Sequence, residues 1–517
     1  MNNKTILAID CGTQSLRAIL FSQKGEMLAR AQVEYEPYFS TNPGWAEQDP
    51  ELYWESLIKA CQKLKQSNPE LFQTISGVGV TTHRASMVNV DENGIPLRPA
   101  IVWMDQRKSR PVWGQKGLLN VAFSIIGLKK KLADNQSQGK CNWIRQNQPE
   151  IWEKTHKYLQ VSGFLNYRLT GNFTDSVASQ IGHIPFDYKK QIWAKSFTLT
   201  KKLFPVELDK LTTLLKPGET LGKITAKAAQ QCGIKKGIPV IACGSDKGCE
   251  TLGAGVVNSK MASLSFGTTA TVQTVSKKYI EPIRYLPAYP ALVPGHYNPE
   301  LEIFRGFWMI SWFKKEFAHK EVEQAKKMST SAEEVLNQCL ERTKPGAMGL
   351  VVQPFWGPGL DHPDAKGAMI GFGDVHKKDH VYRSVIEGLG FALFDGMGKI
   401  QNKTGIKIEK ASVSGGASQS DEICSIMADI FNLPIEKGQT HETSGLGAAI
   451  LVAKGIGWFK NLDEAVNNMV NIKKTFKPDK KNVQIYQSLY SRVYTKMYAA
   501  LEPLYSEIRE ITGYPKK

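Results

Sequence analysis

The feature that most constrains this chain is a pattern written twice, once in each half. Ile6-Leu7-Ala8-Ile9 runs into Asp10-Cys11-Gly12-Thr13-Gln14-Ser15 and is followed by a second apolar run, Ala18-Ile19-Leu20-Phe21. Met261 to Phe266 runs into Gly267-Thr268-Thr269 and continues through Thr271 to Val275. Short apolar runs bounded by turn residues read as strands, so each copy is a strand, a Gly-Thr turn and a returning strand. The echo predicts two similarly built halves meeting near residue 256, as domains 1–256 and 257–517. A length of 517 residues, more than one hydrophobic core usually serves, points the same way.

The first turn has a chemistry of its own. Gly12 lets backbone N–H groups approach a ligand closely, and successive N–H groups through Thr13 and Gln14 form an anion-binding nest. Asp10, at the strand end, repels a phosphate unless a cation sits between them. Acid and nest together therefore suggest Mg²⁺ and a polyphosphate, with Arg17 as a further positive group. An ordinary hairpin in which Asp10 caps the turn accounts for the same residues without a ligand.

Charge and cysteine usage narrow the class. The formal net charge is +17, from 66 basic and 49 acidic residues. The basic residues are scattered among acidic ones and no basic motif accompanies them, so nucleic acid is not the expected partner. A positive field attracting an anionic nucleotide accommodates the excess. The eight cysteines form no CxxC pair, which argues against a zinc ribbon and a thioredoxin site. Their dispersal fits a reducing cytosol. With no signal-peptide pattern and no apolar run of membrane-spanning length, a soluble cytoplasmic protein without membrane contact is expected.

Further along, several apolar runs end in polar clusters, where parallel strands present their loops to ligands. Ile75 to Val80 ends in Thr81-Thr82-His83-Arg84-Ala85-Ser86, and Ala100 to Met104 ends in Asp105-Gln106-Arg107. Ile238 to Cys243 ends in Gly244-Ser245-Asp246-Lys247, and Lys410 to Val413 enters Ser414-Gly415-Gly416-Ala417-Ser418-Gln419-Ser420. Residues 111–215 read as a mainly helical insert, with Trp143, Trp152, Tyr158 and Tyr167 on core faces. Helices are expected over 51–64, 308–317, 380–403 and 421–431, an irregular loop over 354–366, and a helical tail from about 482. Gly248 to Gly255 and Glu442 to Ile450 read as small-residue helices built for close approach.

Motif exclusions leave few chemistries. There is no GxxxxGK[ST], no GxGxxG after a strand, no HExxH and no GxSxG. What remains is a pair of acids at strand ends, Asp10 and Asp246, with Gly-Thr turns in both halves and a Gly-Gly-Ala-Ser loop opening a helix. Phosphoryl transfer asks the protein for a metal, donors around the moving phosphoryl and a carboxylate to orient the attacking hydroxyl. Asp10 suits the metal role and Asp246 the role of general base.

The ordered set resembles the FGGY carbohydrate kinases of the sugar-kinase, heat-shock-protein and actin superfamily. The matching pieces are DCGTQSLR at 10–17, PAIVWMDQR at 99–107, GSDKG at 244–248 and SFGTTATVQ at 265–273. SGGASQSDEICSIMADIFNLP at 414–434 and SGLGAAI at 444–450 complete it. Lys140 to Asn147 and Gly367 to Glu387 resemble the two family signatures, with Cys141 and Phe372 as departures. The resemblance implies an α/β protein of two RNase H-like, actin-like ATPase domains flanking a deep cleft that takes ATP and a sugar or polyol. By position, Asp10 faces Mg²⁺, and Gly12, Thr13, Gln14 and Arg17 face phosphates. Gly267 and Thr268 hold phosphates from the other half, and Gly416, Ala417 and Ser420 line the nucleotide. Asp246 is the base, and a homodimer is an assembly such relatives often adopt.

Acceptor identity departs from the known branches. Where the glycerol kinase branch has an Arg-Glu pair this chain has Arg84-Ala85, and Lys247 replaces the glutamine usual after the catalytic acid. The Gln-Met-His of the xylulose kinase branch reads His83-Arg84-Ala85, and His83 is a poor ligand candidate. Arg84, Asp246 and Lys247 are the expected acceptor-binding residues, and Arg84 with Lys247 would also suit a sugar acid. Glycerol kinase or xylulose kinase proper is the nearest alternative. A different class, an actin-like nucleotide sensor without transfer activity, has no need of a carboxylate such as Asp246.

Overall fold

A computed structural model describes residues 4–113, 121, 123–125, 127–357 and 364–514. The chain divides into two compact units. Unit 1 comprises Met1–Gly253, Tyr289–Tyr297 and Ser444–Val470; unit 2 comprises Ala254–Ala288, Asn298–Thr443 and Asn471–Lys517. The division near residue 253 lies beside the expected 256. A single cut, however, does not describe it, because Ser444–Val470 packs within unit 1.

Unit 1 is organised on a six-stranded sheet. Its strands are β1 (Thr5–Cys11), β2 (Ser15–Phe21), β3 (Met27–Glu34), β4 (Ile75–Thr82), β5 (Thr220–Lys223) and β6 (Pro239–Ile241), in the order β5-β6-β4-β1-β2-β3. β1, β2 and β3 form an antiparallel meander, and β1, β4 and β6 run parallel. β1 is buried along its whole length, which explains its unbroken apolar run. Helix Pro50–Ser67 is capped by Asp49, whose side chain accepts from Glu51 N, and contributes Tyr53, Leu57, Ala60 and Leu64 to the core.

Unit 2 repeats the design. Its strands are β7 (Met261–Phe266), β8 (Ala270–Thr274), β9 (Glu300–Ile303), β10 (Lys410–Ser414), β11 (Ile435–Gly438) and β12 (Ile472–Phe476), in the order β9-β8-β7-β10-β11-β12. Again there is a meander of three, two parallel neighbours and an antiparallel edge. The two sheets differ in where the far edge strand falls in the chain: β5 precedes its neighbour and β12 follows it. This is the two-domain α/β architecture expected from the repeated strand and turn. Helices Lys378–Thr404 and Asp421–Phe431 cover the sheet with Leu389, Phe391, Ile423 and Met427 in one apolar cluster.

The insert is more mixed than its periodicity predicts. Helices Lys129–Ser137, Lys140–Asn147, Pro149–Lys154, Val161–Thr170 and Leu199–Leu203 alternate with short strands at Lys157–Gln160, Thr174–Ser176, Phe186–Asp187, Ile192–Trp193 and Thr213–Leu215. Short apolar runs do not distinguish helix from strand; pairing partners decide, and Lys157–Gln160 pairs with Met87–Val90. Trp143, Trp152 and Tyr158 are buried in the core as expected. Residues 114–120, 122 and 126 of the insert and 358–363 of the expected loop lie outside the described residues. Among the described residues no helix is long and apolar enough to cross a membrane.

The helix Thr443–Gly455 shows why its sequence is small. In unit 1 a Cβ on Gly77 would stand 2.5 Å from Val452 Cγ1, one on Gly79 would stand 2.7 Å from Val452 Cγ2, and one on Gly447 would stand 1.9 Å from the Cys249 carbonyl oxygen. Backbone therefore meets backbone at Gly447, a distance only glycine permits.

Candidate active site

The parallel strands of unit 1 bring three loops to one end of its sheet. Asp10 pairs with Thr81 in the β1–β4 register, and Thr82 bridges to Ser245. The Gly-Thr turn after β1, the His83-Arg84 segment after β4 and Asp246 after β6 are therefore neighbours, at the carboxyl edge where α/β sheets bind ligands.

Asp10 is buried, 5 % exposed. It faces Arg17 across the hairpin, with Arg17 Nη1 3.1 Å from Asp10 Oδ2. Directly opposed residues of an antiparallel pair lie on one face, so groups assigned separately to metal and phosphate are ion-paired with each other. In the turn, Gly12 N donates to the Ser15 carbonyl at 2.9 Å, and the Tyr35 hydroxyl donates to the Gly12 carbonyl at 2.7 Å. The Gly12 N–H thus closes the turn. Tyr35 N donates to the Gln14 carbonyl, and Trp103 Nε1 donates to Thr13 Oγ1 at 2.9 Å.

His83 is buried. Its N–H donates to the Cys11 carbonyl at 3.0 Å, and its Nδ1 lies 3.2 Å from the same oxygen, which makes Nδ1 the protonated nitrogen. Burial lowers its pKa, with the nearby Asp246 carboxylate opposing. Arg84 points elsewhere. Its guanidinium lies over the Tyr289 ring, 5.2 Å from the centroid, and its Nε is 4.0 Å from Asp246 Oδ1.

Asp246 opens the helix Asp246–Gly253. Its Oδ1 accepts from Lys247 N at 2.8 Å, and its carbonyl accepts from Ser444 Oγ at 3.3 Å. The side chain is 33 % exposed, and Oδ2 carries no hydrogen bond among the described residues. One oxygen is held while the other is open to a hydroxyl. Lys247 Nζ, expected at the acceptor, pairs with Glu250 Oε2 at 2.8 Å, one turn along the same helix.

Unit 2 gathers the remaining residues. Ser265 of β7 pairs with Ser414 of parallel β10, so both turns leave the sheet side by side. Gly415 has φ of 82°, and a Cβ on it would stand 2.9 Å from Gly267 N. The two glycine turns are in contact, and a side chain at 415 would hold them apart. Gly267 O accepts from Phe307 N at 3.0 Å. A Cβ on Gly416 would meet nothing within 4 Å, so its backbone borders open space. Ala417 lies in a short 3₁₀ turn, Gly416–Gln419, and Ser420 caps helix Asp421–Phe431 by accepting from Ile423 N at 3.2 Å. Gly267, Thr268, Gly416, Ala417 and Ser420 thus converge on one sheet edge beside a helix N-terminus, which favours anions.

Some contacts were not legible beforehand. Tyr289, beneath Arg84, comes from a segment 205 positions away in a different part of the chain. Lys140 Nζ donates to the Ala85 carbonyl. No local pattern announces either; the lysine stood in a signature-like segment, the one available hint.

Comparison with known proteins identifies the family. Residues 5–253 match the N-terminal domain and residues 262–456 the C-terminal domain of the FGGY family of carbohydrate kinases. The chain is 29 % identical to a xylulose kinase of Staphylococcus epidermidis over 523 aligned positions, covering 99 % of this chain and 100 % of that one. A ligand-bound xylulose kinase from Lactobacillus acidophilus superposes with a TM-score of 0.82 at 22 % identity, covering 98 % of this chain and 99 % of the other. A gluconate kinase from the same organism reaches 0.82 at 21 % identity, with the same coverage. The chain belongs to the FGGY family of carbohydrate kinases, phosphotransferases that carry the γ-phosphoryl of ATP to a sugar or polyol hydroxyl.

Proposed function

We propose that Asp246 is the general base of this transfer and that the acceptor is a neutral sugar or polyol. The observation that carries the first part is the division of labour in its carboxylate: Oδ1 is held by Lys247 N while Oδ2 is open. A base held at one oxygen presents the other in a fixed direction, and general-base catalysis depends first on that geometry. Arg84, anchored over Tyr289, flanks the acceptor. A sugar acid needs net positive charge at the site. Lys247 is matched by Glu250 and Arg84 faces Asp246, so the charges are balanced and a neutral acceptor is favoured.

In unit 2, Gly267, Thr268, Gly416, Ala417 and Ser420 are proposed to bind nucleotide, and in unit 1, Gly12, Thr13, Gln14 and Arg17 are proposed to bind phosphate. Mg²⁺ commonly uses one or two carboxylates plus substrate phosphates and water. Among the described residues no group of three metal-binding side chains is present, so Asp10 as a single carboxylate fits that mode. Bound there, the ion would neutralise phosphate charge during transfer. Asp10 supplies the carboxylate, and Arg17 holds its Oδ2 in place.

The test is ADP release by the full chain across D-xylulose, glycerol, other polyols, aldoses and D-gluconate. Asp246→Asn should lower kcat by about 10²–10⁴ while ATP binding stays within severalfold. Turnover that survives the substitution removes the base assignment, and Mg²⁺ dependence unchanged in Asp10→Ala removes the metal assignment. D-gluconate as the preferred acceptor would overturn the charge argument.

A further inference from the structure

The loop that carries Arg84 is held in an uncommon conformation by a residue far along the chain. Ala85, a non-glycine residue, has φ of 58°. L-residues seldom adopt this left-handed region, and it persists only where surroundings enforce it. Two contacts do so. Gly182, itself at φ of 136°, leaves room for Ala85; a Cβ there would stand 3.1 Å from Ala85 Cβ. From the opposite element, Lys140 in the first turn of helix Lys140–Asn147 donates its ammonium to the Ala85 carbonyl.

What this turn controls is the direction of its neighbour. Arg84 leaves it toward Asp246, over Tyr289, whose ring meets that of Tyr188 at 5.7 Å. Tyr188 in turn donates its hydroxyl to the Gly182 carbonyl at 3.0 Å. The path from Gly182 through Tyr188 and Tyr289 closes around Arg84, and Lys140 fastens the remaining side.

We propose that Lys140 is a positioning residue for the acceptor: by holding the carbonyl of the left-handed Ala85, its ammonium aims Arg84 at the acceptor beside Asp246. The inference rests on the kinase reading for its kinetic part. Lys140 touches neither reacting atom. It acts through the backbone between itself and Arg84.

The charge of Lys140 offers a readout that packing alone would not move. Burial pushes its pKa down to about 7, with Asp105 opposing and Arg107 reinforcing. The other titratable groups near it are His183, whose pKa burial pushes down to about 4, and the buried His83, both of them disfavoured as cations in its presence. Below pH 7 Lys140 is an ammonium, a charge-assisted donor; above it the amine is a weaker one.

The test uses the full chain as wild type, Lys140→Met and Lys140→Arg. With the best acceptor among D-xylulose, glycerol and D-gluconate, Lys140→Met should raise the acceptor KM about tenfold or more, leaving the ATP KM within about twofold. Lys140→Arg should recover most of that loss. The wild-type acceptor KM should rise as pH passes 7, and this rise should vanish in Lys140→Arg, whose guanidinium stays charged. Equal acceptor KM in wild type and Lys140→Met, or a matching rise in the ATP KM, overturns the proposal. A second measurement needs no acceptor. Phenylglyoxal labelling of Arg84, read by peptide mass spectrometry, should be faster in Lys140→Met, and equal rates overturn the positioning role. If wild type phosphorylates none of the acceptors, the acceptor reading is what fails, and the labelling rates still decide the role of Lys140.

Discussion

Gly447→Ala adds one methyl group at the tightest backbone approach near the proposed base. Its Cβ would stand 1.9 Å from the Cys249 carbonyl oxygen and 2.7 Å from the carbonyl carbon. The obstacle is backbone, so no side chain can swing away. Reaching an ordinary C···O contact of about 3.3 Å requires about 1.4 Å of relative movement. Cys249 lies in the helix Asp246–Gly253 and its N–H is bonded to the Ser245 carbonyl at 2.9 Å. Movement at Cys249 is therefore passed to Asp246 within the same turn. Overpacking of this kind costs about 1–3 kcal/mol, partly offset by the helix preference of alanine over glycine, about 1 kcal/mol. The larger effect is expected in catalysis, where a displacement near 1 Å lowers kcat by about 10². Thermal unfolding and steady-state ADP release would be measured beside Gly398→Ala, in helix Lys378–Thr404, where a Cβ meets nothing within 4 Å. The control should gain about 1 kcal/mol. If Gly447→Ala keeps kcat within about twofold and melts no lower than wild type, the helix contact does not position the base and the reasoning fails.

Two further predictions concern single side chains. Ser420→Ala removes the oxygen that accepts from Ile423 N, so unfolding free energy should drop by about 1 kcal/mol, and an unchanged melting temperature would show that Ser420 is no cap. Asp175 is buried, and burial pushes its pKa up to about 6 against hydrogen bonds from Ser162, Ser176 and Gln180. Because the folded state binds this proton more tightly than the unfolded chain, the group favours folding below pH 4. That contribution is lost as pH rises to about 6, a change of at most about 3 kcal/mol. The stability difference between wild type and Asp175→Asn should follow that window in chemical denaturation, and a difference flat from pH 4 to 7 refutes it.

Which residues stand at strand ends was legible because the signal is local. A run of apolar residues buried on both faces, closed by a glycine turn, specifies a central strand and the loop that follows it, as at Asp10, Gly267 and Gly416. The pairing of Asp10 with Arg17 was equally within reach, since a short turn fixes the register that sets them opposite. The Lys247–Glu250 pair is local too, three residues apart on one helix, a spacing that lets a lysine and a glutamate pair. The strands within residues 129–215 carry no local signal of their own, because segments this short take their form from whichever strand edge they meet.

By itself, the sequence determined that this protein has two like-built α/β halves, which loops of each carry small residues and acids, and its family. The halves and their loops follow from short-range periodicity and turn chemistry, which act over a few residues; the family follows from the resemblance of the ordered motifs to those of the FGGY kinases. Tertiary structure alone decided that Ser444–Val470 completes unit 1, that Tyr289 lies under Arg84 and that Lys140 holds Ala85. Such contacts join residues tens to hundreds of positions apart. Their partners are chosen by shape and desolvation in the packed state, and many sequences with the same local pattern would choose otherwise.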